Sequence, residues 1–363
     1  MGEEEAVGRV RFGVLGCADI VRKVARAIGM AKGATIHALG SRSLEKAKAF
    51  AADNNFPTQT KLYGSYAEVL DDADVDVVYI PLPTTLHLEW AVKAAQKKKH
   101  VLLEKPPALT VEDMDKMIES FDRHGVQLMD GTMWVHHPRT ARMAELLNNP
   151  QLFGNLKEVH SIFSYAASHE FLEKNIRSRP DLDALGAQGD IGWYCCRAIL
   201  WANDYQMPQN VRAMPAPIFN AAGVIMSCGA TFMWEVGRLA TYHASFLSHA
   251  TTNLTVQGTR GTLHVEDFCI PFEETNASFK FISDMKPKPL FLGWENRPDE
   301  HKVIAEVPQE VAMIEELSRI VKNIRDGEGK IDPFWPSITR KTQVLVNAVM
   351  ESIHSNFDIV NIT

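Results

Sequence analysis

VRFGVLGCADI, the segment at residues 10–20, joins an apolar run to a glycine and then to the start of a helical pattern. The run at residues 10–15 contains valine, phenylalanine and leucine, which favour strands, and it leads directly into the glycine. Beyond it, Ile20, Val24 and Ile28 recur at helical spacing on one face. A strand, a glycine turn and an amphipathic helix in this order predict the first half of a βαβ unit.

The same alternation continues over the first third of the chain. Strands are predicted at residues 10–15, 35–39, 75–80, 100–103 and 127–129, with helices at 20–28, 44–52, 86–96 and 111–124. Strands that alternate with helices of about ten residues form βαβ units around a parallel sheet. We therefore predict that residues 9–132 form a Rossmann domain.

A different pattern begins after about residue 133. Strands follow one another directly at residues 156–165, 211–216, 230–235, 239–246, 253–257 and 261–266, and helices are predicted at 141–147, 189–203, 309–325 and 337–355. Strands without intervening helices favour a mostly antiparallel sheet with one face covered by helices. We predict an α/β protein in which residues 133–363 form an α+β domain with a large open sheet. The free face of that sheet is the expected surface of a homodimer, and a plain α+β domain without this interface is the alternative.

Composition places the chain among ordinary globular proteins. It has 363 residues, of which 45% are hydrophobic and 23% charged, and its formal net charge is −7. A nucleic-acid surface needs a basic balance, so nucleic acid is not an expected partner. No run approaches the roughly 20 apolar residues that cross a bilayer, and the acidic start at residues 1–5 differs from a secretory signal. The five cysteines, Cys17, Cys195, Cys196, Cys228 and Cys269, lack metal-site spacing. We expect a cytoplasmic protein that binds neither a metal nor a membrane.

The turn after the first strand carries an incomplete dinucleotide motif. In the Gly-x-Gly-x-x-Gly fingerprint, glycines let the backbone approach a pyrophosphate at a helix N-terminus. From its first glycine, this chain has Gly-Cys-Ala-Asp-Ile-Val, so one of the three glycines is present. The motif alone is weak, but its place in the first βαβ unit favours a dinucleotide site formed by Gly16, Cys17, Ala18, Asp19 and Ile20.

The end of the second strand indicates which dinucleotide binds. An NAD site usually has Asp or Glu there, which accepts from the ribose 2′-hydroxyl. This strand instead leads into Gly40-Ser41-Arg42-Ser43, with Lys46 one turn later. A hydroxyl and a guanidinium suit a 2′-phosphate, so Ser41, Arg42 and Lys46 favour NADP(H) over NAD(H). The alternative is an ordinary basic helix start with Arg42 in solvent.

Three further motifs resemble the signatures of one enzyme family. They are Ile80-Pro-Leu-Pro-Thr-Thr-Leu-His87, Leu103-Glu-Lys-Pro106 and Gly189-Asp-Ile-Gly-Trp-Tyr194. Over nearly the whole chain, the pattern resembles the glucose–fructose oxidoreductase/inositol dehydrogenase/MocA (Gfo/Idh/MocA) family. Thr132-Met-Trp134 and the Asp-x-Gly-x-Tyr pattern are similar to its branch of dimeric dihydrodiol dehydrogenase and NADP-dependent D-xylose dehydrogenase. Most members have His in place of Tyr194, and branch members often have Arg where Val135 stands.

The resemblance implies which residues line the cofactor site. The loops after the strands at residues 75–80 and 100–103, which correspond to the fourth and fifth strands of the family fold, would contact the cofactor through Pro81, Leu82, Pro83, Thr84, His87, Glu104 and Lys105. It also implies a cis bond between Lys105 and Pro106. Trp134 either walls the nicotinamide or is a core residue. The second domain would supply the substrate contacts and the dimer surface.

The candidate catalytic residues are Lys105, Asp190 and Tyr194. Lys105 follows an apolar strand, at the edge where open α/β sheets bind ligands, and a solvated surface lysine is the alternative. Asp190 and Tyr194 are four positions apart and therefore share one face of a predicted helix. An N-cap aspartate and a core tyrosine are the alternative for this pair. A nearby ammonium favours the phenolate form of tyrosine, so Lys105 beside Tyr194 would suit proton transfer.

These residues predict an oxidoreductase that transfers a hydride between NADP(H) and a sugar or a small polyhydroxy or cyclic diol. The reaction is expected in the crevice between the domains. A dinucleotide-binding sensor without catalysis and a nicotinamide-dependent glycosidase are the alternatives. Neither the substrate nor the direction follows from the sequence. The segment at residues 168–183, with Arg177 and Arg179, either reaches a polar ligand or faces solvent.

Overall fold

The computed structural model describes residues 8–362, which form two compact units. The first unit contains the chain up to Met133 together with Pro308–Arg340, and the second contains Trp134–Val307 and the chain from Lys341 onward. The acidic start at residues 1–5 lies outside the described residues. Within residues 8–362, no helix combines the length and the apolar character that crossing a bilayer requires.

The first unit is built on a six-stranded parallel sheet. Its strands are β1 (Val10–Leu15), β2 (Ala34–Gly40), β3 (Lys61–Tyr63), β4 (Val77–Ile80), β5 (His100–Leu103) and β6 (Leu128–Asp130). Its first helices are α1 (Ile20–Met30), α2 (Leu44–Asp53), α3 (Tyr66–Asp71), α4 (His87–Gln96) and α5 (Val111–His124). The strand order β3-β2-β1-β4-β5-β6 is that of a Rossmann fold, so the predicted fold class is confirmed for this part of the chain.

The loops that follow β1, β4 and β5 share one edge of this sheet. The three strands are parallel neighbours, and every residue of β4 and β5 is buried, as expected for a sheet covered on both faces.

Capping residues define where helix α5 begins and ends. The Thr110 side chain accepts from the Asp113 N–H at 3.1 Å at the start of α5, and Gly125, with a φ of 66°, ends it.

The second unit is built on a ten-stranded sheet in which β7 and β11 form the one parallel pair among the pairings between described strands. Its strands are β7 (Leu156–Ala166), β8 (Asn210–Ala213), β9 (Ile218–Phe219), β10 (Ile225–Met233), β11 (Leu239–Ser245), β12 (Leu247–Gly258), β13 (Gly261–Val265), β14 (Asn276–Ser283), β15 (Asp299–Ile304) and β16 (Val360–Asn361). The order is β15-β14-β13-β12-β7-β11-β10-β8-β16, with β9 paired to β10. The predicted large, mostly antiparallel sheet is confirmed.

One face of this second sheet is covered and the other is open. The helices of this part of the chain are α6 (Pro138–Leu147), α7 (His169–Lys174) and α8 (Trp193–Ala202). Helix α8 packs on β7 and β11, and the β7 residues that face it, such as Val159 and Phe163, are buried. The alternate residues of β7 include Ile162, which is 40% exposed. The open face therefore lies on the side of Ile162.

The last helices correct the predicted domain boundary. Helix α9 (Gln309–Arg325) packs on α1 through its apolar face, and the Glu315 carboxylate accepts from the Lys32 N–H at 2.9 Å. Helix α10 (Phe334–His354) starts in the first unit, where Arg340 pairs with Asp115. The prediction placed 133–363 in one domain, whereas 308–340 complete the first unit because α9 covers apolar surface of the Rossmann sheet and its helices.

Candidate active site

The glycine turn after β1 has the geometry of an anion-binding loop. Gly16 has a φ of +103°, and a Cβ there would lie 3.2 Å from the Leu82 side chain, so both the conformation and the space suit glycine. Helix α1 begins directly after this turn. The Asp19 carboxylate, 99% exposed, does not cap it. The helix N-terminus therefore offers backbone N–H groups and the positive end of its dipole to a pyrophosphate.

The end of β2 brings the predicted 2′-phosphate residues together. Ser41 is buried, whereas Arg42 and Lys46 are exposed. Burial raises the pKa of the Cys17 thiol, and the neighbouring Ser41 hydroxyl and Lys46 ammonium lower it by less. Cys17 Sγ is 4.0 Å from the Lys46 carbonyl oxygen, so the turn after β1 and the start of α2 lie side by side. No carboxylate occupies residues 41–43, since this segment is Ser-Arg-Ser.

Tyr66 is a residue at this site that the sequence analysis missed. Its hydroxyl lies 3.7 Å from the position of a Cβ built on Gly16, and the Arg42 side chain lies close enough to influence its pKa. Burial raises the pKa of Tyr66, and the Arg42 guanidinium lowers it by less. The ring packs edge-on against Trp90, with 5.1 Å between centroids. Tyr66 and Arg42 thus lie near each other, with the Tyr66 hydroxyl beside the glycine turn.

His87 joins the loop after β4 to the loop after β5. Its Nε2 is 2.7 Å from the Leu82 carbonyl oxygen, and its Nδ1 is 3.1 Å from the Pro106 carbonyl oxygen. The imidazole is 1% exposed, and burial lowers its pKa to about 4, so it is neutral at physiological pH. Leu82 and the adjoining Pro81 are buried, as is Thr84, whereas Pro83 is half-buried. Because a neutral imidazole has one N–H, His87 donates to one of these carbonyl oxygens and packs between the two loops.

Glu104 and Lys105 directly follow β5. The Tyr79 hydroxyl donates to Glu104 Oε1 at 2.6 Å, and the Lys105 N–H donates to Glu104 Oε2 at 3.3 Å. The Lys105–Pro106 bond is cis, as the family resemblance implied. Lys105 is half-buried at the carboxyl edge of the sheet, at the edge that carries the glycine turn. The Lys105 backbone therefore lies at this edge beside a carboxylate that Tyr79 holds.

Asp190 is the centre of a polar cluster in the second unit. It lies in a π-helical turn, Gln188–Gly192, which continues into α8. Its Oδ1 is 2.8 Å from Arg177 Nε, and the Tyr165 hydroxyl donates to its Oδ2 at 3.3 Å. The Asp190 carboxylate raises the pKa of Arg177, and burial raises the pKa of Tyr165, with Asp190 adding to it. The sequence left two roles open for Arg177, contact with a polar ligand or exposure to solvent. In the structure Arg177 instead pairs with Asp190.

Tyr194 lies one turn beyond Asp190 and is 5% exposed. Its ring contacts Phe163 of β7, with 5.7 Å between centroids and a tilt of 37°. Gly186, with a φ of +56°, precedes the turn, and a Cβ there would lie 2.1 Å from the Ile225 carbonyl oxygen. Glycine is therefore required for this segment to approach β10. Tyr194 and Asp190 belong to the second unit, and Lys105 belongs to the first.

Trp134 is a correction to the predicted cofactor site. Its side chain is 0% exposed and packs edge-on against Trp201 and Phe268, at centroid distances of 5.8 Å and 5.7 Å. A ring with no accessible face does not wall an open pocket. The structure favours the alternative interpretation, in which Trp134 is a core residue of the second unit.

Two polar clusters outside the site have structural roles. His37, Asp72 and Asp74 come within ligand distance of one another, but the Lys61 ammonium lies 3.2 Å from Asp72 and 3.0 Å from Asp74. Within residues 8–362 this is the one such group of three. His137, whose neighbour is also a histidine, accepts from the Arg139 N–H at 2.9 Å and caps α6. The first cluster is thus paired with a lysine ammonium, and His137 caps a helix through its Nδ1.

Comparison with known proteins identifies the family. Residues 10–132 match the model of the GFO/IDH/MocA oxidoreductase family with an NAD-binding Rossmann fold, and residues 140–264 match its C-terminal domain. The chain belongs to the Gfo/Idh/MocA oxidoreductase family, which confirms the resemblance.

The relatives of this chain include enzymes that act on sugars and on diols. D-xylose 1-dehydrogenase (NADP+) 2 of Haloferax volcanii is 34% identical over 254 residues, 69% of this chain and 74% of that protein. A dTDP-3,4-didehydro-2,6-dideoxy-α-D-glucose 3-reductase of Saccharopolyspora spinosa is 28% identical over 346 residues, 95% and 96% of the two chains. A trans-1,2-dihydrobenzene-1,2-diol dehydrogenase of Danio rerio is 27% identical over 230 residues, 63% and 65% of the two chains.

Solved structures share the whole fold. KijD10, a 3-ketoreductase from Actinomadura kijaniata in complex with NADP and TDP-benzene, has a TM-score of 0.78 at 22% identity, covering 94% of this chain and 97% of that one. An aldose-aldose oxidoreductase from Caulobacter crescentus, complexed with glycerol, has a TM-score of 0.80 at 20% identity, covering 98% and 100%. At these identities the likeness establishes the two-part architecture.

Proposed function

We propose that this protein is an NADP(H)-dependent oxidoreductase that transfers a hydride between the nicotinamide and a sugar or a small cyclic or polyhydroxy diol. One observation carries the proposal. The glycine turn, the His87-linked loops and Lys105 lie at the carboxyl ends of the neighbouring strands β1, β4 and β5. This edge, at the point where the strand order reverses, is where open α/β sheets bind dinucleotides.

The residues at this edge fit NADP(H). The uncapped start of α1 and the turn at Gly16 suit the pyrophosphate, and Ser41, Arg42 and Lys46 suit a 2′-phosphate. The D-xylose dehydrogenase relative is named as NADP-dependent, and KijD10 was solved with NADP. When bound, the nicotinamide supplies or accepts the hydride. We assign the Rossmann unit, including α9, to this cofactor.

The chain's own residues handle the proton. In the oxidation direction, the substrate carbon loses a hydride and its hydroxyl gives a proton to the Tyr194 phenolate oxygen; reduction reverses both transfers. We assign Lys105 the role of holding the substrate oxygen through its ammonium group. Asp190, held by Arg177 and Tyr165, is assigned a supporting role in the segment of the second unit that also carries Tyr194. KijD10 has been solved with single substitutions of a tyrosine and of a lysine, the residue types assigned here.

A cofactor-linked absorbance screen tests this function. Aldoses, inositols and trans-diols are each offered with NADP+ and, separately, with NAD+. We expect at least one class to give NADPH in proportion to product, with NADP+ preferred to NAD+. Turnover without net NADPH would indicate the glycosidase instead. Cofactor binding without turnover on any class would indicate the sensor.

We also propose that the protein is a cytoplasmic homodimer formed through the open face of the second sheet. Ile162 of β7 is 40% exposed on this face, His160 of the same strand hydrogen-bonds Thr241 of β11, and His264 of β13 hydrogen-bonds Thr255 of β12. All five cysteines are free, as expected in a reducing compartment. Sedimentation velocity of wild type and of Ile162→Arg tests the interface: a wild-type dimer and a variant monomer are expected. Equal masses would contradict it.

A further inference from the structure

An apolar arm extends from the second sheet between β14 and β15. Residues 285–295 form a two-limbed hairpin in which the Lys288 N–H donates to the Gly293 carbonyl at 3.0 Å and the Glu295 N–H donates to the Lys286 carbonyl at 2.8 Å. Its base is anchored, because the Asn296 amide donates to the Ser283 carbonyl at 2.9 Å. The arm is thus an ordered extension of the sheet.

The tip of the arm exposes large apolar side chains. Leu290 is 87% exposed, Phe291 76%, Leu292 105% and Trp294 55%. Side chains of this size present on the order of 100–200 Å² each when free, so the four together expose roughly 400–500 Å². A contiguous patch of this size on a soluble protein marks an interaction surface.

The arm lies far from the proposed active site. It follows Ser283, which pairs with Gly261, at the end of the sheet where β7 begins at Leu156. Tyr165, which contacts Asp190, lies near the other end of β7. At about 3.3 Å per residue, the two ends of β7 are about 30 Å apart. The arm is therefore not a lid over Asp190, and its exposed side chains need another partner.

We infer that the arm is a self-association contact, distinct from the open sheet face, in which the arms of two copies of this chain pack against each other. The limbs carry opposite charges, Lys286 and Lys288 on one and Glu295 on the other, and within residues 8–362 none of these three forms an ion pair. A two-fold axis brings the basic limb of one copy to the acidic limb of the other.

Two further properties fit a second copy. Pro287 and Pro289 lack an N–H, so their limb does not add a strand to a foreign sheet, which favours contact through the side chains of the tip. The exposed area of the tip is about half of the roughly 800 Å² that each partner of a standard interface buries. The neighbouring limbs supply the polar rim. If the open sheet face also pairs, two different two-fold contacts give a tetramer.

Sedimentation velocity over a protein concentration range of about 1 to 100 µM tests this contact. The arm variant is Leu290→Ser with Leu292→Ser; the matched control is Phe272→Ser, an 81% exposed apolar residue outside the arm. We expect the arm variant to sediment as the next smaller assembly, or its dissociation constant for self-association to rise at least tenfold. Its circular dichroism spectrum should stay that of the wild type. The control keeps the wild-type mass. Ile162→Arg, which addresses the sheet face, removes a different step.

Three sedimentation results would overturn the inference. They are a wild type that stays monomeric over the whole range, an arm variant with the wild-type dissociation constant, and an equal loss in Phe272→Ser. Wild-type binding to phosphatidylcholine vesicles without self-association would assign the arm to a membrane surface and would also overturn it. Because the readout is mass, the result is independent of the proposed hydride transfer.

Discussion

Arg177→Met removes the ion pair that holds Asp190, and we expect it to lower both the stability and the activity of the protein. The pair joins Arg177 Nε to Asp190 Oδ1 at 2.8 Å, and the Asp190 side chain is 8% exposed. Breaking a hydrogen bond to a charged group costs roughly 1.5–3 kcal/mol. The Arg177 side chain is 33% exposed, so solvent screens the ion pair in part. The loss in the free energy of unfolding is therefore near the lower end of this range, about 1.5 kcal/mol.

That loss has two measurable consequences. At about 2–4 °C per kcal/mol for a domain of this size, the melting temperature of the second unit falls by about 3–6 °C. If Asp190 keeps its place in the transition state only through Arg177, kcat/KM falls about tenfold, since about 1.4 kcal/mol is one factor of ten. The Tyr165 hydroxyl, which donates to Asp190 at 3.3 Å, stays in place and limits the loss.

Arg179→Met is the matched control. Arg179 is two residues away, pairs with Asp181 at 2.7 Å, and both side chains are more than half exposed. Thermal unfolding and steady-state kinetics are measured for both variants with NADP(H) saturating. The reasoning is refuted if Arg177→Met keeps the wild-type melting temperature and kcat/KM, or if Arg179→Met loses as much.

Three other predictions follow from the site and the core. Arg42→Ala raises the Kd for NADPH at least tenfold and leaves the Kd for NADH within twofold, measured by calorimetry; equal changes for both cofactors would reject the 2′-phosphate assignment. Trp134→Ala lowers the free energy of unfolding by about 3–5 kcal/mol, because the ring is fully buried, yet leaves the Kd for NADPH unchanged below the unfolding temperature; a selective loss of NADPH binding would restore Trp134 to the cofactor site. His100 carries a pH prediction: burial lowers its pKa to about 4 from its ordinary 6.5, and its Nδ1 accepts from the Gln127 N–H at 2.9 Å. Between these two values the unfolded chain binds a proton that the folded chain does not, so the free energy of unfolding falls as the pH drops, with up to about 3 kcal/mol from His100; denaturant titrations of His100→Gln should show a shallower fall, and an identical pH dependence would contradict the assignment.

Strong periodicity made much of the fold predictable. The bounds of β1, β5, α5 and α9 match the predicted ones because each combines a clear apolar period with a capping or turn residue at its ends. The two strands at β14 and β15 were not predicted, although Ala277, Phe279 and Phe281 alternate in β14 as a half-buried strand does. The signal was present there and was missed.

Other features had no signal in the sequence. Helix α3 has six residues, too few for a helical period to show, so Tyr66 was not connected with Arg42. Arg177 and Asp190 are 13 positions apart on an irregular segment, and spacing says nothing about where such a segment folds back. The packing of α9 on α1 is a contact between distant parts of the chain, which composition and periodicity do not encode. These contacts form only when distant parts of the chain pack together in the fold.

Single-turnover hydride transfer in Tyr194→Phe and Lys105→Met tests the central claim most directly. The substrate is the one found in the absorbance screen, cofactor is saturating, and Lys23→Met, which changes an exposed lysine on α1, is the control. Proton-transfer groups contribute about 10²–10⁴-fold, so each variant should transfer hydride at least tenfold more slowly while its Kd for NADPH stays within twofold of wild type. Wild-type transfer rates in both variants would contradict the account.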